Sequence, residues 1–198
     1  RGACGCEVNT GDGAGVLMQM PHAFLKVAAK QAHITLPEPG EYACGLIFMP
    51  RNATQRRRIE EVFARVVASE GQIYLGGRTV PTDNSMLGET ARASEPFMRQ
   101  VFIQRGPDTP DAEAFERKLY VIRRRIEKTV QASVMQDTFA IVSLSTKTIV
   151  YKGLLRATQV TAYYPDLTDR DVESALALVH SRFSTNTMGT WDLAHPFH

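Results

Sequence analysis

The chain has 198 residues, 43% of them hydrophobic and 22% charged, with a formal net charge of +2. That size and apolar content support a packed core and exclude a disordered chain. The near-neutral balance imposes neither a nucleic-acid nor an anionic-membrane partner, and no apolar run is long enough to span a bilayer. Three cysteines, Cys4, Cys6 and Cys44, are too few and odd in number for a secreted disulfide framework, so a reducing compartment such as the cytoplasm is expected. The first residues, R-G-A-C-G-C-E, lack an initiating Met and a signal-peptide pattern. The last, A-H-P-F-H, carry no helix-ending pattern. Both ends read as cut, and residues 1–198 are expected to be part of a single domain.

Residues 1–9 read as a loop; Cys4-x-Cys6 has no His/Cys pair at zinc-ligand spacing after it, so no metal site is expected. T-G-D-G-A-G, residues 10–15, is glycine-rich, but a phosphate loop needs a helix directly behind it. Residues 16–20, V-L-M-Q-M, read as a strand instead, so the glycines predict a tight turn. Pro21 suits a first helical position, followed by a helix over His22–Gln31. Tyr42–Met49 is a buried strand ended by Pro50, with Cys44 inside it as a small hydrophobe.

Asn52 predicts a helix cap, and Ile59, Val62, Phe63, Val66 and Val67 form one apolar stripe that stops at Gly71. Residues 73–75 restart a strand, 88–92 suggest a short helix, and 96–104 a further strand. Thr109-Pro110 is expected to open the longest helix, whose Phe115, Leu119, Ile122, Ile126 and Val130 share a face. Arg56-Arg57-Arg58 and Arg123-Arg124-Arg125 read as solvated helix faces rather than nucleic-acid patches. Residues 139–144 and 148–152 predict a hairpin about Ser145-Thr146-Lys147. Thr168-x-x-Asp171 predicts a capping box for one helical turn, and 175–182 a buried strand. About seven strands and three or four helices without strict alternation favour an α+β layered fold.

The chemistry concentrates in residues 175–187, A-L-A-L-V-H-S-R-F-S-T-N-T. Arg182 stands where an apolar strand gives way to small polar residues. A guanidinium can grip a carboxylate with two parallel hydrogen bonds, and Ser184, Thr185 and Asn186 add polar partners. A structural ion pair is the alternative. His180 and Ser181 alternate across the strand, so adjacency does not make them a catalytic pair. No Ser/His/Asp, Cys/His or paired-carboxylate arrangement stands out.

Several blocks in register resemble the class II amidotransferase domain of the glutamate synthase large subunit. They are R-G-A-C-G-C with T-G-D-G-A-G, P-H-x-F at 21–24, E-R-K-L-Y at 116–120, S-L-S-x-x-T-x-V-Y-K-G at 143–153, Y-Y-P-D-L at 163–167, A-L-V-H-S-R-F-S-T-N-T, and residues 191–197. The resemblance implies a four-layer αββα sandwich of the N-terminal-nucleophile hydrolase type, incomplete at both ends. It implies attack on the glutamine amide by an N-terminal cysteine thiolate, with the cysteine's own amino group as base. An Asn-Gly pair would supply the oxyanion hole, and Arg182 would hold the glutamine α-carboxylate. Ammonia would pass to downstream synthase domains carrying FMN and an iron–sulfur cluster, where 2-oxoglutarate is reductively aminated. A reductase subunit or ferredoxin would donate electrons, in the cytoplasm or a plastid.

The nucleophile, the oxyanion pair and the acidic residue for the substrate amine fall outside these residues on the family pattern, so no catalytic residue and no cofactor is expected within them. The fragment by itself is expected to be inactive. Met188-Gly189-Thr190 departs from the family's proline-containing spacer. Another class II amidotransferase and a non-catalytic homologue acting as a binding module stay open at this point.

Overall fold

The computed structural model describes residues 9–132, 139–181 and 189–196. Seven strands form two antiparallel sheets: β1 (Ala14–Gln19), β2 (Tyr42–Met49), β3 (Ile73–Thr79), β4 (Phe97–Gln104), β5 (Ala140–Ile141), β6 (Thr148–Gly153) and β7 (Ala177–His180). One sheet has the order β3-β4-β2-β5, the other β6-β1-β7. The helices are α1 (His22–Gln31), α2 (Ala53–Ser69), α3 (Glu89–Ala93), α4 (Ala112–Gln131) and α5 (Val160–Tyr163). The architecture is α+β, as expected: two antiparallel sheets, with α2 and α4 packed on the four-stranded one.

Strand β2 sets the layering. All eight of its residues are buried, and successive side chains point to opposite faces. Ala43, Ile47 and Met49 join a core against α2 and α4. Tyr42, Cys44, Leu46 and Phe48 join the core between the sheets, with Met18, Ile149 and Tyr151 of the three-stranded sheet. The apolar stripes of both long helices bury as their spacing dictates: Ile59, Val62, Phe63, Val66 and Val67 on α2, and Phe115, Leu119, Ile122, Ile126 and Val130 on α4.

The arginine runs are spent on the helical layer itself. Arg123 and Arg124 both pair with Glu127, and Arg125 with Glu70 at the end of α2. Arg56 lies over the Phe97 ring, 4.0 Å from its centroid. Asn52 caps α2, its side-chain oxygen accepting from the amides of Thr54 and Gln55.

Several local expectations are corrected. Asp111 caps α4, accepting from the Ala114 amide at 2.7 Å, whereas the Thr109 hydroxyl accepts from the Gln72 side chain at 2.7 Å. No helix starts at Thr168; it ends a 3-10 turn over Pro165–Thr168, and Asp169 rather than Thr168 accepts from the Asp171 amide. Strands β5 and β6 do not form a hairpin, because β5 pairs with β2 and β6 with β1. The chain crosses between the sheets there. The Ser143 hydroxyl accepts from Leu46 of one sheet and Val150 of the other, both at 3.3 Å. The Glu116 carboxylate on α4 fixes the crossing, accepting from the Thr146 amide at 2.6 Å and the Ser145 hydroxyl at 3.0 Å.

A polar knot lies inside the inter-sheet core. Arg78 of β3 donates from Nε to Gln100 of β4 at 2.6 Å and pairs with Asp166. Tyr151 of β6 donates to the same carboxylate at 3.1 Å, and Gln100 donates to the Tyr151 hydroxyl at 3.4 Å. All four residues are buried. Desolvation holds the Tyr151 phenol well above its ordinary pKa, so it stays a donor.

Removing one member strands a buried charge, so Arg78→Met should cost about 3–5 kcal/mol in denaturant unfolding. Arg78→Met/Asp166→Leu should recover most of that, since Gln100 and Tyr151 still pair with each other. On the outer layer, Asp111→Ala should cost about 1 kcal/mol by loss of the cap, read in the same assay.

Candidate functional site

The site is built around β7, the strand that precedes the sequence-predicted ligand residues in the chain. β7 pairs antiparallel with β1 from Met18↔Ala177 to Gly15↔His180. Its start is bracketed by Gln19: the Ser174 hydroxyl accepts from the Gln19 amide at 3.0 Å, and the Ala175 amide donates to the Gln19 side chain at 3.1 Å. The expectation of a buried strand is corrected here. Among the described residues β7 has a neighbour on one side only, and Leu178 and Val179 are 54% and 72% exposed.

Val16 and Val179 are directly paired and share a face. On that face a cleft of about 590 Å³ opens between the sheet and residues 157–174. Val16, Met18, Val160, Leu167 and Val172 supply its apolar wall, with Thr161, Ser174 and Ser181 as polar groups. An apolar cleft with a few polar groups at its rim suits a small molecule. Ser181, the residue before Arg182, stands at this rim. Arg182, Ser184, Thr185 and Asn186 lie outside the described residues, as do Cys4 and Cys6.

The opposite face of the sheet carries a second arrangement. Gly15 is paired with His180 on one side and Lys152 on the other, forming a row across β7, β1 and β6. Asp192 and His195 lie against that row. Lys152 donates from Nζ to the Asp192 carbonyl at 2.7 Å. The His195 ring packs on the His180 ring, with centroids 4.7 Å apart. Gly15 has to be glycine: a Cβ there would stand 2.5 Å from the Lys152 Cβ and 2.8 Å from the His195 carbonyl oxygen. Burial lowers the Lys152 pKa to about 8, Asp192 opposing and Arg123 reinforcing the shift. Burial, then His180 and Lys152, likewise lower that of His195.

No nucleophile–base pair forms among these groups. The His180 ring packs on that of His195. Cys44 is wholly buried and its thiol is held far above the ordinary range by desolvation, so it is an inert core residue. An iron–sulfur cluster needs several thiolates; Cys44 is the one cysteine among the described residues, and it does not fit such a group. No set of three metal-ligating side chains converges among the described residues, and no described helix is long and apolar enough to cross a membrane. The sequence reading passed over Gly15 and Lys152 as site residues. The available signal was a lone lysine closing the otherwise uncharged strand T-I-V-Y-K-G.

The family model for glutamine amidotransferases class-II matches residues 1–198. The chain is 48% identical over 196 residues to the glutamate synthase [NADPH] large chain of Bacillus subtilis, covering 99% of this chain and 13% of that protein. It is 41% identical to the glutamate synthase [NADH] of Schizosaccharomyces pombe, covering 99% of this chain and 9% of that one. It is 35% identical to a ferredoxin-dependent glutamate synthase of Arabidopsis thaliana, covering 99% and 12%. The chain thus spans only a small part of the length of these relatives. With its whole length matched by the family model, the chain belongs to the class II glutamine amidotransferases.

Proposed function

We propose that these residues are part of the glutaminase domain of a glutamate synthase, which releases ammonia from glutamine for reductive amination of 2-oxoglutarate. The observation that carries this is the similarity along 99% of the chain to glutamate synthases from bacteria, yeasts and plants. Arg182 is the carboxylate clamp, with Ser184, Thr185 and Asn186 as its polar neighbours. Its place in the chain supports this: it directly follows Ser181, which lines a largely apolar cleft of about 590 Å³. A bidentate guanidinium would select the α-carboxylate while the apolar wall takes the methylenes.

The nucleophile in this reading comes from outside the described residues, since Cys44 is inert. Ammonia release and reduction are then divided between this domain and the rest of a parent chain, with FMN and an iron–sulfur cluster held elsewhere in it. The relatives' names carry three electron donors, NADPH, NADH and ferredoxin, over the same matched stretch. The donor, a reductase subunit or ferredoxin, is therefore read by other domains. The location is cytoplasmic, or plastid in a plant.

Arg182→Ala in the full-length enzyme should raise the glutamine KM by about a hundredfold, the loss of one charge-assisted bidentate contact, and leave ammonia-dependent turnover intact. Steady-state kinetics with each nitrogen source check this; unchanged glutamine kinetics would remove the clamp.

A further inference from the structure

We propose that Lys152 is a positioning residue for the glutamine-binding end of β7, acting through residues 191–195. This rests on the glutaminase reading above. His180, Gly15 and Lys152 form one row across the three-stranded sheet. Residues 191–195 are held to it at successive points. Trp191 is buried; its ring occupies the space where a side chain on Gly153 would stand, 2.4 Å from a Cβ built there, and its indole donates to the Ala91 carbonyl at 3.2 Å. The next residue, Asp192, receives the Lys152 ammonium on its carbonyl. His195 then lays its carbonyl against Gly15 and its ring against His180. The chain is thus tied to the three-stranded sheet just before Arg182, at His180, and again from Trp191 onward: Trp191 sits in the inter-sheet core beside Phe48 and Tyr163, and Asp192 and His195 lie on the face of Lys152 and His180.

Stability alone does not account for Lys152. It is 3% exposed, and burying an ammonium is unfavourable unless its partners repay the loss of water. The lowered pKa is the same statement in protonation. The charged and titratable groups around it are Asp192, His195 and, from α4, Arg123, Arg124 and Glu127. A methionine would fill nearly the same volume at no such cost. What methionine cannot do is donate to the Asp192 carbonyl. A charge-assisted bond to a backbone oxygen fixes where that segment lies, and through His195 it fixes the exit of β7.

The experiment compares Lys152→Met and Lys152→Gln in the full-length parent enzyme, with Arg182→Ala alongside. Glutamine KM, ammonia-dependent turnover and thermal unfolding are measured for each. Lys152→Met should unfold at the wild-type temperature or above it and keep ammonia-dependent turnover. Its glutamine KM should rise about tenfold, the loss of one hydrogen bond that orders a binding segment. Lys152→Gln, which keeps a shorter donor, should fall in between, and it decides the matter if Lys152→Met does not fold. A wild-type glutamine KM in either folded variant overturns the proposal, and so does a parallel loss of both activities in both. If Arg182→Ala itself leaves glutamine kinetics unchanged, the glutaminase reading fails first, and that outcome is distinct from failure of the positioning role alone.

Discussion

Two sheets facing each other across an apolar core could slide, since hydrophobic contact is not directional. The buried Arg78–Asp166 pair removes that freedom. Arg78 comes from β3, Gln100 from β4, Tyr151 from β6 and Asp166 from the turn after α5, so one hydrogen-bonded set touches both sheets and the segment that walls the cleft. Charges taken out of water repay their desolvation only in good geometry. This set satisfies its members through fixed donors: a guanidinium, a carboxamide and a phenol that stays protonated. The Phe24 ring of α1, 5.3 Å from the Arg78 guanidinium, closes over it. The pair contributes less to net stability than to registering one layer on the next.

That registration reaches the candidate site through Asp166. Its neighbour Leu167 lines the cleft, and the Pro165–Thr168 turn leads on to Val172 and Ser174, which line it too. The cleft is therefore shaped by the same turn that carries the buried carboxylate. A second buried carboxylate, Glu95, works in parallel: Tyr163 donates to it at 2.6 Å and Asn84 at 2.9 Å, tying α5 to the loop before β4. Both aromatic neighbours at this seam, Tyr163 and Tyr164, pack edge-on with centroids 4.7 Å apart.

The two faces of the three-stranded sheet divide the work. The inner face offers an apolar cleft beside the start of the proposed clamp. The other face holds Asp192 and His195 in place, mostly through their backbone carbonyls, which is why its key positions are a glycine and a lysine rather than a catalytic set. Under the proposed glutaminase role, a well-fixed binding end matters more than extra chemistry there, since orientation of substrate carries much of a rate.

The sequence by itself determined the elements whose period is long and clean. The stripes of α2 and α4, the buried run of β2 and the capping of α2 by Asn52 follow from 3.6- and 2-residue spacing and local hydrogen bonding. The family blocks were legible for the same reason that spacing is: they are words in the chain. Only tertiary structure decided which strands pair. β5 and β6 look like a hairpin because they are close in sequence, but Ser143 and Glu116 hold the segment between them as a crossing from one sheet to the other. Only tertiary structure showed β7 exposed, because burial depends on neighbours and not on apolar content. And only there do Gly15, Lys152 and His195 become one site, since they lie far apart in the chain and meet through antiparallel register, which no local pattern encodes.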